Sequence, residues 1–294
     1  MWLRGTQLNE DCYNLTLFAG VTALLAEFCL PVDFAQLRKR FKADGVVLLR
    51  GFVSGARVNK IRTVAMAAVE QRLPPFELEA ELGYPGAPAS AGGEGGGTIR
   101  RLRNMAGRDP VFAEWAGDAQ LLSLMSALLD TPHITLTQAH HNSLMSKQPS
   151  FSSDTRWHRD VRYWRFELPE LVSAWLSLGK ETTENGGLGF IAGSHRVDFP
   201  EDAYDEREFL MADHPEAAPW VDLAVFPDLE AGDVVLFDAR TFHAASRNRT
   251  ADTKYSLVYS YHASNNLPQA GSRSASLPGL AFHVAEQQFE AVNL

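Results

Sequence analysis

The sequence predicts a mainly β fold with flanking α-helices. Helical periodicity dominates the first 130 residues, where apolar side chains recur every three to four positions, as in 33–44 and 118–130. From residue 133 the chain changes to short β-branched and aromatic runs separated by Gly, Asn, Asp and Pro, with no long helical pattern between them. This order favours a β-sandwich or barrel supported by N-terminal helices over a parallel α/β sheet.

We expect a single domain, 1–294, because neither an internal repeat nor a linker interrupts the strand region. Residues 1–130 would form a largely helical support, residues 131–265 the β core, and residues 266–294 a C-terminal extension. Within the support, residues 82–98 are rich in Gly, Pro and Ala and predict a mobile loop. That loop contains neither Gly-x-Gly-x-x-Gly nor a P-loop lysine, so it does not indicate a phosphate site.

Residues 15–30, LTLFAGVTALLAEFCL, are the one candidate for a targeting segment. The stretch is shorter than the roughly 20 apolar residues that a membrane span needs, and Glu27 interrupts it. Glu10 and Asp11 precede it, where a signal peptide has basic residues. We therefore predict a packing helix, with an interfacial or dimerisation helix as the alternative.

The composition bounds the partners of the protein. With 294 residues, 45% of them hydrophobic, the chain can bury a substantial core. The net charge of −9 argues against broad attraction to nucleic acid or to an anionic membrane. Two cysteines are too few for a disulfide framework. We expect a cytoplasmic protein that acts on a small molecule; no sequence feature specifies an oligomeric state.

The segment WHRDVRYW, residues 157–164, contains the triple His158-x-Asp160. Composition alone predicts about one His-x-Asp/Glu triple by chance, and two occur, the other being His214-Pro-Glu216. Residues i and i+2 of a strand project from the same face, so His158 and Asp160 can share a metal ion. The second triple lies in an acidic segment without strand character, and we do not expect a site there.

A second histidine would complete a facial triad of two histidines and one carboxylate, which is typical of non-haem ferrous oxygenases. His243 follows the apolar strand pattern of residues 234–239, and the chain between Asp160 and His243 is long enough for several strands. The alternative interpretation is a solvated charge pair together with an unrelated core histidine.

Several motifs, in order over about residues 33–262, resemble the phytanoyl-CoA dioxygenase family of ferrous iron- and 2-oxoglutarate-dependent oxygenases. Ala192 stands where that family has a proline. The matching segments are KADGVVLLRGF (42–52), SKQP (146–149), the His-x-Asp segment with its trailing aromatics and Trp-containing strand (157–178), ENGGLGFIAGSHR (184–196) and AGDVVLFDARTFHAASRNRT (231–250).

The resemblance implies a double-stranded β-helix core, the jelly roll of cupin-like proteins. It also implies that His158, Asp160 and His243 bind Fe(II), and that 2-oxoglutarate and O₂ are consumed. Asp160 favours hydroxylation, because related halogenases resemble this family but lack the carboxylate.

The same resemblance places a cation at the distal carboxylate of 2-oxoglutarate. Family members usually have an arginine about eleven residues after the distal histidine, often followed by a serine two residues on. This chain has Lys254 and Ser256 there, and lysine keeps the charge but loses the bidentate fork of arginine. Arg249 and Arg247 are the alternative cations, and Trp175 would flank the cosubstrate.

The strand around residues 138–144 offers further polar groups. Gln138, His140, Asn142 and Leu144 share one face of this strand. If that face lines the barrel, Asn142 and His140 can bind the cosubstrate or the substrate. The alternative is that they are polar groups satisfied at the barrel rim.

We therefore predict a dioxygenase that hydroxylates an unactivated C–H bond of a small organic molecule and releases succinate and CO₂. Two alternatives stay open: a cupin-type metal enzyme that does not use 2-oxoglutarate, and a non-catalytic jelly-roll binding module. The cluster Arg100, Arg101 and Arg103 can hold a substrate carboxylate or phosphate, or can be a solvated charge run.

Overall fold

The fold is built on two β-sheets and a layer of helices, and the computed structural model describes residues 25–285. The helices are α1 (Phe34–Asp44), α2 (Gly55–Gln71), α3 (Glu79–Leu82), α4 (Pro110–Ala116), α5 (Ala119–Leu129) and α6 (Ala218–Val221). The strands are β1 (Ala26–Phe28), β2 (Val46–Leu49), β3 (Phe76–Leu78), β4 (Ile99–Arg103), β5 (His133–Leu136), β6 (Asn142–Lys147), β7 (Thr155–His158), β8 (Leu171–Ser177), β9 (Leu188–Phe190), β10 (Val234–Asp238), β11 (His243–Ala245), β12 (Lys254–Ala263) and β13 (Leu280–His283).

The larger sheet has ten strands, and its main path runs β1-β2-β10-β8-β12-β6-β4-β3. Strand β5 pairs with the far end of β12, and β13 pairs with β5. The smaller sheet has the order β7-β11-β9. The two sheets face each other as the layers of a double-stranded β-helix, which confirms the predicted fold class.

Strand β12 contributes buried side chains to both faces of the larger sheet. Leu257, Tyr259 and Tyr261 belong to the core on the helical side, while Val258 packs in the core between the sheets. The hydroxyls of Tyr259 and Tyr261 donate to the carbonyls of Phe112 and Ala116 in α4, at 3.1 and 2.9 Å. Side chains therefore alternate between the two faces along this strand, and two of its tyrosine hydroxyls attach α4 to the sheet.

The first helix-to-strand unit follows the sequence closely. Asp33 caps α1 by accepting from the backbone N–H of Gln36 at 3.0 Å, and Gly45 ends the helix with φ 71°. Only glycine fits there, because an added Cβ would lie 2.4 Å from Nδ1 of His195. His195 therefore packs against the turn that ends α1.

The N-terminal region differs from its prediction in two ways. The helix expected over 15–30 is wrong where the structure describes it, because residues 26–28 form β1, which pairs in parallel with β2; residues 15–24 lie outside the described range. Strands β3 and β4 were not anticipated, and β4 pairs with β6 at the side of the larger sheet. The edge of a sheet has unpaired backbone N–H and C=O groups. Short segments such as β3 and β4 can pair with these groups even when their own sequence has little β-strand pattern.

Leu257→Ala is expected to destabilise the fold by about 2–5 kcal/mol, because the side chain is fully buried between sheet and helices and its loss leaves a cavity. Leu168→Ala is the matched control, since 51% of that side chain is exposed, and its cost should stay within about 0.5 kcal/mol. Urea denaturation measures both. Equal losses of stability would contradict the packing described for β12.

Candidate active site

Two histidines meet at the junction of β7 and β11. His158 is the last residue of β7 and His243 the first of β11, and the two are Cα partners in the antiparallel ladder. Their ring centroids lie 4.2 Å apart. Hydrogen bonding between the strands therefore brings together two side chains that are 85 positions apart in the sequence.

Asp160 joins them from just beyond the strand. The sequence predicted that His158 and Asp160 share a strand face, but β7 ends at His158 and Asp160 begins a 3-10 turn, 160–163. The turn still directs the carboxylate inward, where Oδ1 lies 3.7 Å from Nε2 of His243. One ligand atom from each of the three residues lies within 4.8 Å of the others, so they can bind one metal ion.

The backbone fixes which ring nitrogen of each histidine faces the centre. Nδ1 of His158 bonds the carbonyl oxygen of Arg156 at 2.9 Å, and Nδ1 of His243 bonds that of Thr241 at 3.0 Å. A carbonyl only accepts, so each Nδ1 carries the proton and each Nε2 keeps its lone pair. Burial lowers the pKa of His158 well below its usual range and that of His243 to about 4. Both rings are thus in the neutral form that binds metal.

The carboxylate of Asp160 lacks the partners that a buried anion needs. Its Oδ2 has no hydrogen bond among residues 25–285, and Nδ1 of His141 stands 3.4 Å away. Burial raises the pKa of Asp160 to about 7. A divalent cation would supply the missing charge, and the set of two imidazoles and one carboxylate fits ferrous iron.

A cavity of about 270 Å³ lies beside these three residues. It follows strand β6, with Lys147 at one end of that strand and His140 and His141 just before the other. Trp175 contributes to the cavity wall, as predicted for a residue beside the cosubstrate. This volume suits small molecules rather than a polymer.

Lys254 lines the cavity but already has an anionic partner. Its Nζ lies 3.0 Å from Oε2 of Glu181, which is fully buried. Glu181 also accepts hydrogen bonds from Oγ of Ser256 at 2.7 Å and from Nε1 of Trp175 at 3.1 Å. The three side chains predicted for the cosubstrate site thus converge on a carboxylate that belongs to the protein.

Lys147 is the Cα partner of Lys254 across β6 and β12, and it lines the same cavity. Its Nζ donates to the carbonyl of Ser153, and no carboxylate lies within 4 Å of it in the described part of the chain. Burial lowers the pKa of Lys147 well below its usual range. Burial thus disfavours the charged form of Lys147 in the free protein, and an anionic ligand would stabilise that charged form.

Of the other predicted residues, His140 lines the cavity, whereas Asn142, Arg247 and Arg249 do not. The face of β6 that carries Asn142 and Leu144 is turned to the helical side: Leu144 lies in the helical core, and Oδ1 of Asn142 accepts from the N–H of Ala106 at 2.8 Å. Alternation then turns Met145 and Lys147 to the cavity. Arg249 is exposed and absent from the lining, and Arg247 forms an ion pair with Asp154 at 2.5 Å.

Lys147, Glu181 and His141 were not singled out from the sequence. Lys147 lies in the SKQP segment, and an isolated lysine at the end of a buried strand was the available signal. Glu181 follows the Trp-containing strand in a segment that reads as a polar turn. Its role depends on the three-dimensional pairing with Lys254, which nothing in the local sequence indicates.

Comparison with known proteins now decides the family. The family model described as phytanoyl-CoA dioxygenase matches residues 41–256. The chain belongs to the phytanoyl-CoA dioxygenase family. It is therefore a 2-oxoglutarate-dependent non-haem iron oxygenase, as its motifs predicted, with iron and 2-oxoglutarate as cofactor and cosubstrate.

Similar proteins differ in what their names say they act on. An ectoine dioxygenase of Halomonas elongata is 26% identical, with 80% of this chain and 71% of that protein aligned. An L-proline trans-4-hydroxylase of Streptomyces griseoviridis is 24% identical over 78% of this chain and 86% of its own length. Among solved structures, the epimerase SnoN in complex with Fe³⁺ and alpha ketoglutarate has a TM-score of 0.66 at 19% identity, covering 86% and 93% of the two chains.

Within residues 25–285, no helix combines the length and the apolar character needed to cross a membrane.

His243→Ala is expected to weaken binding of Fe(II), or of Co(II) as its spectroscopic substitute, by at least about 100-fold, because one of three ligands is lost. His133→Ala is the matched control: that histidine is exposed on β5 and stacks on His283. Anaerobic metal titration measures both. Unchanged affinity in His243→Ala would contradict the metal centre.

Proposed function

We propose that this protein hydroxylates an unactivated C–H bond of a small organic molecule and converts 2-oxoglutarate to succinate and CO₂. The observation that carries the proposal is the retained carboxylate of Asp160, buried beside His158 and His243 in a cavity of small-molecule size. A halogenase, by contrast, is expected to lack this carboxylate.

Iron would be held by His158, Asp160 and His243, whose free Nε2 atoms and unpartnered Oδ2 match its preferences. Bound there, ferrous iron supplies the oxidising chemistry from 2-oxoglutarate and O₂ that side chains alone do not provide. The contribution of the protein is to position reactants and exclude water. Asp160 and His243 are each only 4% exposed, which suits that role.

The distal carboxylate of 2-oxoglutarate is proposed to bind at Lys147, with Lys254 beside it. The two lysines face each other across paired strands, and among residues 25–285 the carboxylate that lies within 4 Å of either is that of Glu181, which contacts Lys254. Glu181 balances Lys254, so Lys147 is left to be balanced by a ligand. A charge-assisted hydrogen bond to the dianionic cosubstrate would supply that balance.

Trp175 and Glu181 would then shape this end of the cavity. Nζ of Lys254 lies 4.9 Å from the ring centroid of Trp175. Because the Trp175 indole also donates to Glu181, the ring and the lysine are fixed as one unit. Such a rigid wall favours a ligand that enters with its distal carboxylate already aligned.

Asp160→Ala is expected to abolish the succinate that forms from 2-oxoglutarate without added substrate, because iron would lose its one anionic protein ligand. Asp213→Ala, an exposed carboxylate outside the cavity, should retain this activity. Succinate measured by mass spectrometry decides the outcome. Undiminished release in Asp160→Ala would refute the assignment.

Lys147→Met is expected to weaken 2-oxoglutarate binding by about 10- to 100-fold, the size of one lost charge-assisted hydrogen bond. Its free energy of unfolding should be equal or higher, because an unbalanced buried cation is replaced by an apolar side chain. Lys254→Met should instead lower stability, since it leaves Glu181 buried and unpaired. Binding is measured by anaerobic calorimetry and stability by urea denaturation. A larger loss of cosubstrate affinity in Lys254→Met than in Lys147→Met would assign the distal carboxylate to Lys254.

A further inference from the structure

The cavity is unusually cationic for a chain of net charge −9. Two carboxylates line it, those of Glu77 and Asp160. Six cations line it: Arg100, Arg101, Lys147, Arg162, Lys254 and Arg273. Which of these cations are already neutralised by the protein decides what the remaining ones can bind.

Three of the six have a protein carboxylate as partner. Arg100 lies 3.6 Å from Glu79, Arg101 lies 2.6 Å from Glu77, and Lys254 lies 3.0 Å from Glu181. Arg101 shares its partner with Arg103, 3.7 Å from the same Glu77. Each of these three cations thus has a carboxylate partner, whereas Lys147, Arg162 and Arg273 have no carboxylate within 4 Å among residues 25–285.

The expected cofactor and cosubstrate account for only one of the remaining three. Ferrous iron would be balanced by Asp160 and by one carboxylate of 2-oxoglutarate, and the distal carboxylate of the cosubstrate would balance Lys147. Arg162, which is partly buried, and Arg273, which is exposed, would then remain without a carboxylate partner from the described chain or from 2-oxoglutarate.

Arg162 lies near the metal ligands, and not all of its N–H groups have a hydrogen-bond partner within residues 25–285. It belongs to the turn that begins with Asp160, and its guanidinium lies over the ring of Phe209 at 3.9 Å. One nitrogen donates weakly to the carbonyls of Arg207 and Glu208, at 3.2 and 3.3 Å. Its Nε is buried and has no hydrogen-bond partner in the described chain.

Arg273 approaches the cavity from the C-terminal segment. It begins the 3-10 turn 273–275, directly before Ser274, whose Oγ lies 2.7 Å from Nε2 of His140. The surroundings of Arg273 disfavour its charge: burial, Arg101 and Arg103 lower its pKa, and the carboxylate of Glu77 opposes them. A cation kept among cations indicates a place for an external anion.

Aromatic side chains complete this end of the cavity. Tyr84, Tyr163 and Trp164 line it, and Trp164 stacks on His140 with centroids 4.9 Å apart. Such walls accommodate a flat or apolar body, while guanidinium groups recognise a carboxylate or phosphate. Trp164 and Ser274, the residue after Arg273, contact His140 at the end of β6 opposite to Lys147. Arg162 belongs to the turn that begins with Asp160, so the proposed anion subsite lies apart from Lys147.

We propose that the substrate is a small organic anion whose carboxylate or phosphate group binds Arg162 and Arg273 and whose body lies against Tyr163 and Trp164. This inference rests on the proposed function, because it assigns the substrate class for the same site. The carboxylate or phosphate group would serve to recognise the substrate, and the C–H bond to be oxidised would belong to the rest of the molecule, near the metal.

The test uses the full chain loaded with Fe(II) and 2-oxoglutarate under nitrogen, titrated by calorimetry with benzoate, phenyl phosphate and the neutral benzamide. We expect at least one anion to bind at least 10-fold more tightly than benzamide. Arg162→Gln and Arg273→Gln should each weaken that anion by about 10- to 100-fold, the size of a lost charged hydrogen bond. Preference for benzoate indicates a carboxylic acid substrate, and preference for phenyl phosphate a phosphate ester.

Arg40→Gln is the matched control, because Arg40 pairs with Asp44 on the surface of α1, and it should leave anion binding unchanged. The Arg273 variant keeps the test independent of folding, since no side-chain hydrogen bond of Arg273 supports the described structure. Benzamide binding as tightly as both anions, or full anion affinity in both arginine variants, would overturn the proposal. Failure of the wild-type protein to bind 2-oxoglutarate would instead refute the proposed function, on which this inference rests.

Discussion

The antiparallel pairing of β7 with β11 is the constraint on which the site depends. It sets His158 opposite His243, and the carbonyls two residues before each ring then fix the ring tautomers. The sheet positions both histidines and also supplies the backbone carbonyls that accept hydrogen bonds from their Nδ1 atoms, so no separate loop is needed to orient the rings. A shift of β7 by one residue relative to β11 would direct the ring of His158 to the opposite face of the sheet and disrupt the centre.

Buried charge is the second organising theme of the cavity. The protein neutralises Arg100, Arg101 and Lys254 with its own carboxylates and leaves Lys147, Arg162 and Arg273 without them. Because an uncompensated charge away from water is costly, an anionic ligand would stabilise the buried Lys147 most and the partly buried Arg162 less, while Arg273 is exposed to solvent. The same cations without a carboxylate partner would then supply both the binding energy for an anionic ligand and the selectivity for anions.

The sequence was most informative where function depends on local pattern. The strand patterns predicted a mainly β fold, and the resemblance of several ordered motifs to one family implied the jelly roll and the ligands His158, Asp160 and His243, which the structure brings together. It was least informative where partners come from distant strands. The inward face of β6 could not be chosen, because Asn142 and Lys147 are both polar residues of a buried strand and only the helical layer decides which face it covers. The carboxylate of Glu181 was missed because its partner is 73 positions away.

Asp160 stands outside the ladder that fixes the two histidines, at the start of a single helical turn. No inter-strand hydrogen bond depends on that position, so its side chain can change without disturbing the registration of β7 and β11. In the evolution of this fold, the carboxylate ligand is therefore expected to be replaced more readily than either of the two histidine ligands.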